Sequence, residues 1–226
     1  MNTVIVWDFP TRIFHWSLVA SFTGLFITGD SERWRDLHVL LGYMVAGLLC
    51  FRIAWGFLGS RYARFGDFLK GPAAIKEYLK SLLSGRPQRH LGHNPAGALA
   101  IILLIGLGLI SSLTGWLVYE ELGPEWLEEV HEVAANAMLA VVIVHVLGVL
   151  ASSWIHQENL IKAMITGRKP GEAGNGIGRT YPIVGALLIA AMAALWTWAP
   201  VDQIGPGGLL QGSMSDQVDS GDDDDD

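Results

Sequence analysis

Apolar residues gather in five long runs, Ile13–Thr28, Val39–Leu58, Ala96–Val118, Val133–Ile155 and Pro182–Ala199, and the segments between them carry nearly all the charge. Each run is about as long as a helix must be to cross a hydrocarbon core of ~30 Å. Asn94-Pro95 reads as an N-cap followed by a first-turn proline, and Gly123-Pro124 punctuates the connection into the fourth run. The first run lacks the basic start and A-x-A-like end of a cleavable signal: Trp7-Asp8-Phe9-Pro10 leads into it, His15 interrupts it and Thr28-Gly29-Asp30 closes it. It is expected to remain in the mature protein. The pattern predicts an all-α membrane protein, with four helices forming a bundle and the fifth run adding another transmembrane helix. No internal repeat and no catalytic signature interrupts it.

Composition sharpens this picture. Of 226 residues 51% are apolar and only 16% charged, and nine are Trp, which sets the chain apart from ordinary soluble domains. The formal charge of −7 argues against a general nucleic-acid binder, which would carry a basic footprint. One cysteine, Cys50, cannot form an intramolecular disulfide, supply an iron–sulfur cluster or build a C-x-x-C-H haem attachment. The charges also divide by side. Thirteen of the 15 basic residues fall on Gly59–His93, on Gln157–Tyr181 or at Arg12 and Arg52, whereas 17 of the 22 acidic residues fall on the opposite side. The positive-inside rule then makes the N-terminus cytoplasmic, and five crossings bring the Asp-rich C-terminus to the periplasm. That tail, 201–226, is poor in apolar residues and is expected to be disordered. A second acidic group, Glu120, Glu121, Glu125, Glu128, Glu129 and Glu132, sits over the bundle itself.

Seven histidines are present, and His15, His38, His131 and His145 lie in or at the ends of membrane runs. A polar side chain there is costly and tends to face the bundle interior. His131 and His145 are 14 residues apart. At 100° per residue that is about 40° short of four turns, so both leave nearly the same face, separated by about 21 Å along the axis. Two ligands at that spacing suit two haems stacked across a membrane, with Ala134, Ala135 and Met138 between them. Depth assigns the partners. His38, at the outer start of the second run, meets His131, and His15, near the inner start of the first, meets His145. His156 competes for the inner position, but a haem held there would sit at or beyond the membrane edge. Arg52 stands 14 residues after His38, at the depth of the inner haem, where a guanidinium can bind a propionate; the competing role is a side chain reaching the inner headgroups. Gly42 and Gly47 allow a ring to approach the backbone, or serve helix packing.

These residues resemble the bacterial cytochrome b561 and hydrogenase-type cytochrome b family of di-haem membrane electron carriers. The resemblance rests on Val6 to Trp16, on His38-Val39-Leu40-Leu41-Gly42-Tyr43, on Arg52 to Gly59, on Gly92-His93-Asn94-Pro95 and on the His131/His145 pair, covering Val4 to Arg168. It implies a four-helix core with two bis-histidine haem b groups, His38 with His131 outside and His15 with His145 inside, exchanging electrons between the quinone pool and a partner redox protein. The domain reading is therefore 1–168 for the di-haem domain, 169–200 for a cytoplasmic loop and further helix, and 201–226 for the tail.

With both axial positions filled, iron offers no open site for substrate, so one-electron transfer is the expected activity. The partner is expected to be a periplasmic cytochrome c or a hydrogenase-like enzyme, steered by the acidic outer surface. Two other readings are a haem-free membrane anchor and a quinone-linked oxidoreductase acting on a small species such as superoxide. His93 and His156 on the inner side are candidates for a quinone site, with plain interfacial histidines as the competing reading.

Overall fold

The computed structural model describes residues 2–84 and 88–198, without the side chains of 82 and 83. The tail expected to be disordered lies outside the described residues, as does Ala199 at the end of the fifth run.

A strand β1 (Thr3–Ile5) leads into α1 (Phe9–Thr28), and a short 3-10 turn at Glu32–Trp34 leads into α2 (Arg35–Leu58). Two helices, α3 (Phe65–Phe68) and α4 (Pro72–Leu83), occupy the basic loop before α5 (Pro95–Tyr119) and α6 (Trp126–Ile155). Then follow α7 (Leu160–Thr166), β2 (Arg168–Pro170) and α8 (Pro182–Trp198). Three segments are long and apolar enough to cross a membrane: Glu32–Leu58, Pro95–Tyr119 and Trp126–Ile155; α8 is a shorter apolar helix. Among the described residues the only departure from an all-α fold is the two-stranded antiparallel pair β1–β2, in register Val4↔Lys169.

Helix starts follow local chemistry. Asp8 caps α1, accepting from the Thr11 amide at 2.8 Å, with Pro10 in the first turn where its missing N–H is harmless. Asn94 caps α5 likewise, accepting from the Gly97 amide at 2.7 Å. The first two turns of α6 are acidic and amphipathic, so the helix begins seven residues before the apolar run does.

The principal packing runs in series, α1 on α2, α2 on α5 and α5 on α6, with α8 against α1. Between membrane helices close approach relies on small residues. A Cβ on Gly24 would come within 2.6 Å of Leu41 Cδ1, one on Gly108 within 2.8 Å of Leu49 Cδ1, and one on Gly185 within 2.2 Å of the Phe9 ring. Phe14, Met44 and Leu48 form a buried cluster between α1 and α2, flanked by Leu188 and Met192 of α8. Side chains such as Ile27, Val144 and Leu187 point outward and exposed, as lipid-facing residues do.

A clasp closes the end of the bundle that carries the basic loops, the inner end of the expected topology. The Val6 and Trp7 amides donate to the Gly167 carbonyl at 2.8 and 3.1 Å. Gly167 sits at φ 77°, and a Cβ there would lie 2.6 Å from the Trp7 carbonyl oxygen, so both backbone and space require glycine. Lys169, buried within the clasp, donates to the carbonyls of His90 and Leu91 at 3.1 and 3.0 Å and pairs with Glu158 at 3.4 Å.

Candidate functional site

At the outer end, α2 and α6 present His38 and His131 to each other, with ring centres 6.3 Å apart and planes at 72°. A metal–imidazole bond of about 2 Å, added to the roughly 1 Å from nitrogen to ring centre, puts a shared metal about 3 Å from each centre. The observed separation is twice that. The other ring nitrogens are occupied: His131 Nδ1 lies 2.8 Å from the Ser111 carbonyl, and His38 Nδ1 lies 3.2 Å from the Leu25 carbonyl and 3.3 Å from Thr28 Oγ1. A backbone carbonyl can only accept, so each Nδ1 carries the proton and each Nε2 keeps its lone pair. This is the arrangement in which a histidine ligates metal, its second nitrogen fixing tautomer and ring direction. Gly115 on α5 backs the His131 ring, since a Cβ there would sit 2.8 Å from Cε1. Gly42, one turn below His38, has nothing within 4 Å of the place a Cβ would take. The outer donor set and this open cradle fit a flat macrocycle held by two axial imidazoles.

The inner half is built differently. His15 and His145 lie within electrostatic reach of each other, and His93 joins them with Arg52 and Lys169 as its charged neighbours. Three polar atoms in this group are buried without a protein partner: His15 Nδ1, Arg52 Nη1 and His93 Nδ1. A buried unpaired polar atom costs about 1–3 kcal/mol, and these three, on residues that feel one another's charge, leave hydrogen-bonding capacity unused in this half of the bundle. Arg52 is 4% exposed, its guanidinium 5.0 Å above the Phe65 ring and 5.8 Å from that of Phe68. Its acidic neighbour, Asp8, already accepts from the Thr11 amide and from Trp55 Nε1 at 3.1 Å. Arg52 is thus a buried cation with donor capacity to spare, which fits an anionic group such as a propionate.

His156 lies elsewhere. It caps the end of α6, and its charged neighbours are Arg89, Glu158, Lys169 and His90, all in the inner loops. The structure therefore brings together His38 with His131, sets His15 and His145 within reach of each other and of His93, which also neighbours Arg52, and keeps His156 apart.

His93 is the residue that sequence reasoning undervalued. Its ring lies 4.6 Å from that of Trp7 and 4.8 Å from that of Phe68, and burial first, then the charge of Arg52, lower its pKa to about 3. It is a neutral side chain whose buried Nδ1 has no protein partner. The available signal was its place just before the Asn94 cap, which fixes it at the inner mouth of α5.

A helical membrane bundle with a facing histidine pair whose second ring nitrogens are anchored on backbone carbonyls has the form of a b-type haem protein. The chain belongs to the prokaryotic cytochrome b561 family, whose sequence model matches residues 6–167. It is accordingly a haem-binding membrane cytochrome of electron transport. A protein of Rhodobacter capsulatus described as a probable Ni/Fe-hydrogenase B-type cytochrome subunit is 23% identical over 216 residues, covering 74% of this chain and 82% of that one. One of Azotobacter vinelandii with the same description is 25% identical, covering 74% and 88%. The Escherichia coli K12 hydrogenase 1 counterpart is 26% identical over 143 residues, covering 51% and 60%. No solved structure matches the chain.

Proposed function

We propose that the protein is a di-haem b electron carrier that links membrane quinone to a redox enzyme docked on its acidic end, a hydrogenase being the partner class that the relatives' descriptions suggest. In this reading His38 and His131 would hold an outer haem, and His15 and His145 an inner one. Arg52 and Gly42 serve the macrocycles, the first by binding a propionate and the second by leaving room for a ring. The observation that carries the proposal is the His38–His131 pair, 6.3 Å between ring centres with both Nδ1 atoms engaged. When bound, haem iron supplies reversible one-electron chemistry.

The residues do the rest. Ser111, Leu25 and Thr28 hold the two outer imidazoles in one tautomer and direction, so little rearrangement accompanies a change of charge at the metal. His131 and His145 share one rigid helix, which fixes the distance between the two sites. The carboxylates of Glu120, Glu121, Glu125, Glu128, Glu129 and Glu132 are all exposed at the end that carries His131, and would steer a basic docking surface. The excess of Lys and Arg on the opposite loops supports a cytoplasmic N-terminus, and five crossings, counting α1 and α8 with the three long apolar segments, would bring the C-terminus to the periplasm.

The test is a redox spectrum and haem count on the purified chain. Two reducible b haems are expected, falling to one in His131→Leu, with the inner haem retained. Two haems remaining in that variant would refute the pairing, and no reducible band in the wild type would make the chain an anchor.

A further inference from the structure

A second cluster of cations lies among the basic loops, away from the histidines. A cleft of about 280 Å³ opens between the turn after α2 and the segment leading into α8, and Ser60, Arg61, Arg64, Arg179 and Tyr181 line it. No carboxylate lines it, although it holds three cations. Arg61 leans toward Asp67 at 3.7 Å, beyond hydrogen-bond length, and neither Arg64 nor Arg179 has an ion pair among the described residues. Deeper in the same wall the Ser60 hydroxyl is buried without a partner, in a residue only 5% exposed.

The walls are fastened to the fold. Tyr62 donates its hydroxyl proton to the Asn175 carbonyl at 2.5 Å, joining one wall to the other. The Ile177 amide donates to the Ile5 carbonyl at 2.8 Å, and the Phe9 amide to the Thr180 carbonyl at 3.0 Å, anchoring the second wall to β1 and α1. Tyr181 packs edge-on against Trp55 of α2, with ring centres 5.2 Å apart. Three exposed arginines therefore border one space with no carboxylate among its lining residues, together with a buried hydroxyl that has no hydrogen-bond partner.

We propose that this cleft binds the phosphate headgroup of an anionic phospholipid from the leaflet on the basic side. Guanidinium forks match phosphate oxygens in pairs, and a serine hydroxyl can donate to a further oxygen. A lipid rather than a free anion fits what borders the cleft. Phe57 and Leu58, immediately before it in the chain, are 68% and 77% exposed, and Ile183, just after it, is 74% exposed. Cationic pocket and outward apolar residues adjoin on both walls, which suits a headgroup with its acyl chains. Basic pockets between membrane helices on the cytoplasmic side bind acidic lipids on the same principle.

The test uses the full-length purified chain, delipidated in neutral detergent and offered vesicles of phosphatidylglycerol or phosphatidylcholine, with retained lipid counted by native mass spectrometry. Phosphatidylglycerol is expected to be retained at least tenfold better than phosphatidylcholine. The double variant Arg64→Gln/Arg179→Gln is expected to lose that preference, and Ser60→Ala to weaken it several-fold, while an unchanged haem spectrum shows that the fold survives. Arg33→Gln/Arg35→Gln, on the opposite side, is expected to leave retention intact. Equal retention by wild type and the Arg64/Arg179 variant would overturn the site. Inorganic phosphate displacing the lipid at equal concentration would show a free-anion site and overturn the lipid assignment.

Discussion

Gly115→Ala probes the outer pair without touching a ligand. The new Cβ would stand 2.8 Å from His131 Cε1, 2.9 Å from Nδ1 and 3.7 Å from Nε2, so the ring must retreat by roughly half an ångström to an ordinary contact. Retreat is opposed by the 2.8 Å hydrogen bond from His131 Nδ1 to the Ser111 carbonyl, on the same helix as the new methyl. Overpacking of this kind costs about 1–3 kcal/mol. At about 1.4 kcal/mol per factor of ten, this is roughly a 5- to 150-fold loss of affinity for the outer haem. Alanine also gains about 1 kcal/mol over glycine in helix propensity, which favours the fold whether or not haem is bound. The expected result is a protein that expresses and melts much as the wild type but binds close to one haem instead of two, or retains the second with a shifted spectrum and potential. Haem per chain and a reduced-minus-oxidised difference spectrum read this directly. Two haems with an unmoved spectrum would refute the claim that the His131 ring position sets the site.

Gly42→Ala has the opposite geometry: with nothing within 4 Å of the new methyl, the haem-free protein should gain about 1 kcal/mol in chemical unfolding while haem content falls, because the macrocycle needs that space. Asp8→Ala removes a fully buried cap and strands the Trp55 N–H, so a loss of about 2–4 kcal/mol is expected in the same measurement. Burial lowers the Lys169 pKa, with Glu158 opposing the shift, so the unfolded chain holds the extra proton in the window below 10.5. The cost of burying that charge is fully present below the folded value and gone above 10.5; wild-type stability relative to Lys169→Met should rise from pH 8 toward 10.5, and a flat or falling difference would contradict the buried charge.

The long helices were legible, and so was the shared helix of His131 and His145, because each follows a helical period within one segment. His131 and His145 share a face wherever α6 begins, and the early start of α6 was hidden only because its first turns mix glutamates with apolar residues. The clasp was not legible. β1 and β2 are three residues each, too short for a strand pattern, and their pairing spans more than 160 residues. The packing of the His93 ring against Trp7 and Phe68 was hidden for the same reason. The loop that carries it is held by Lys169, 78 and 79 residues from the carbonyls it binds, and no local signal announces a buried lysine as an anchor. Gly42 reads in the sequence as room for a ring or as a packing contact, and the structure leaves open space where its Cβ would be.

The clasp also imposes an order on biogenesis. Residues 3–5 leave the ribosome first, yet their partners at 168–170 emerge only after α1, α2, α5 and α6 have been made. Until then the Val6 and Trp7 amides have no Gly167 carbonyl to bind, and the loop before α5 has no Lys169 to fix it. The inner end thus stays open throughout synthesis of the bundle, and its closure marks a chain whose four long helices are all present.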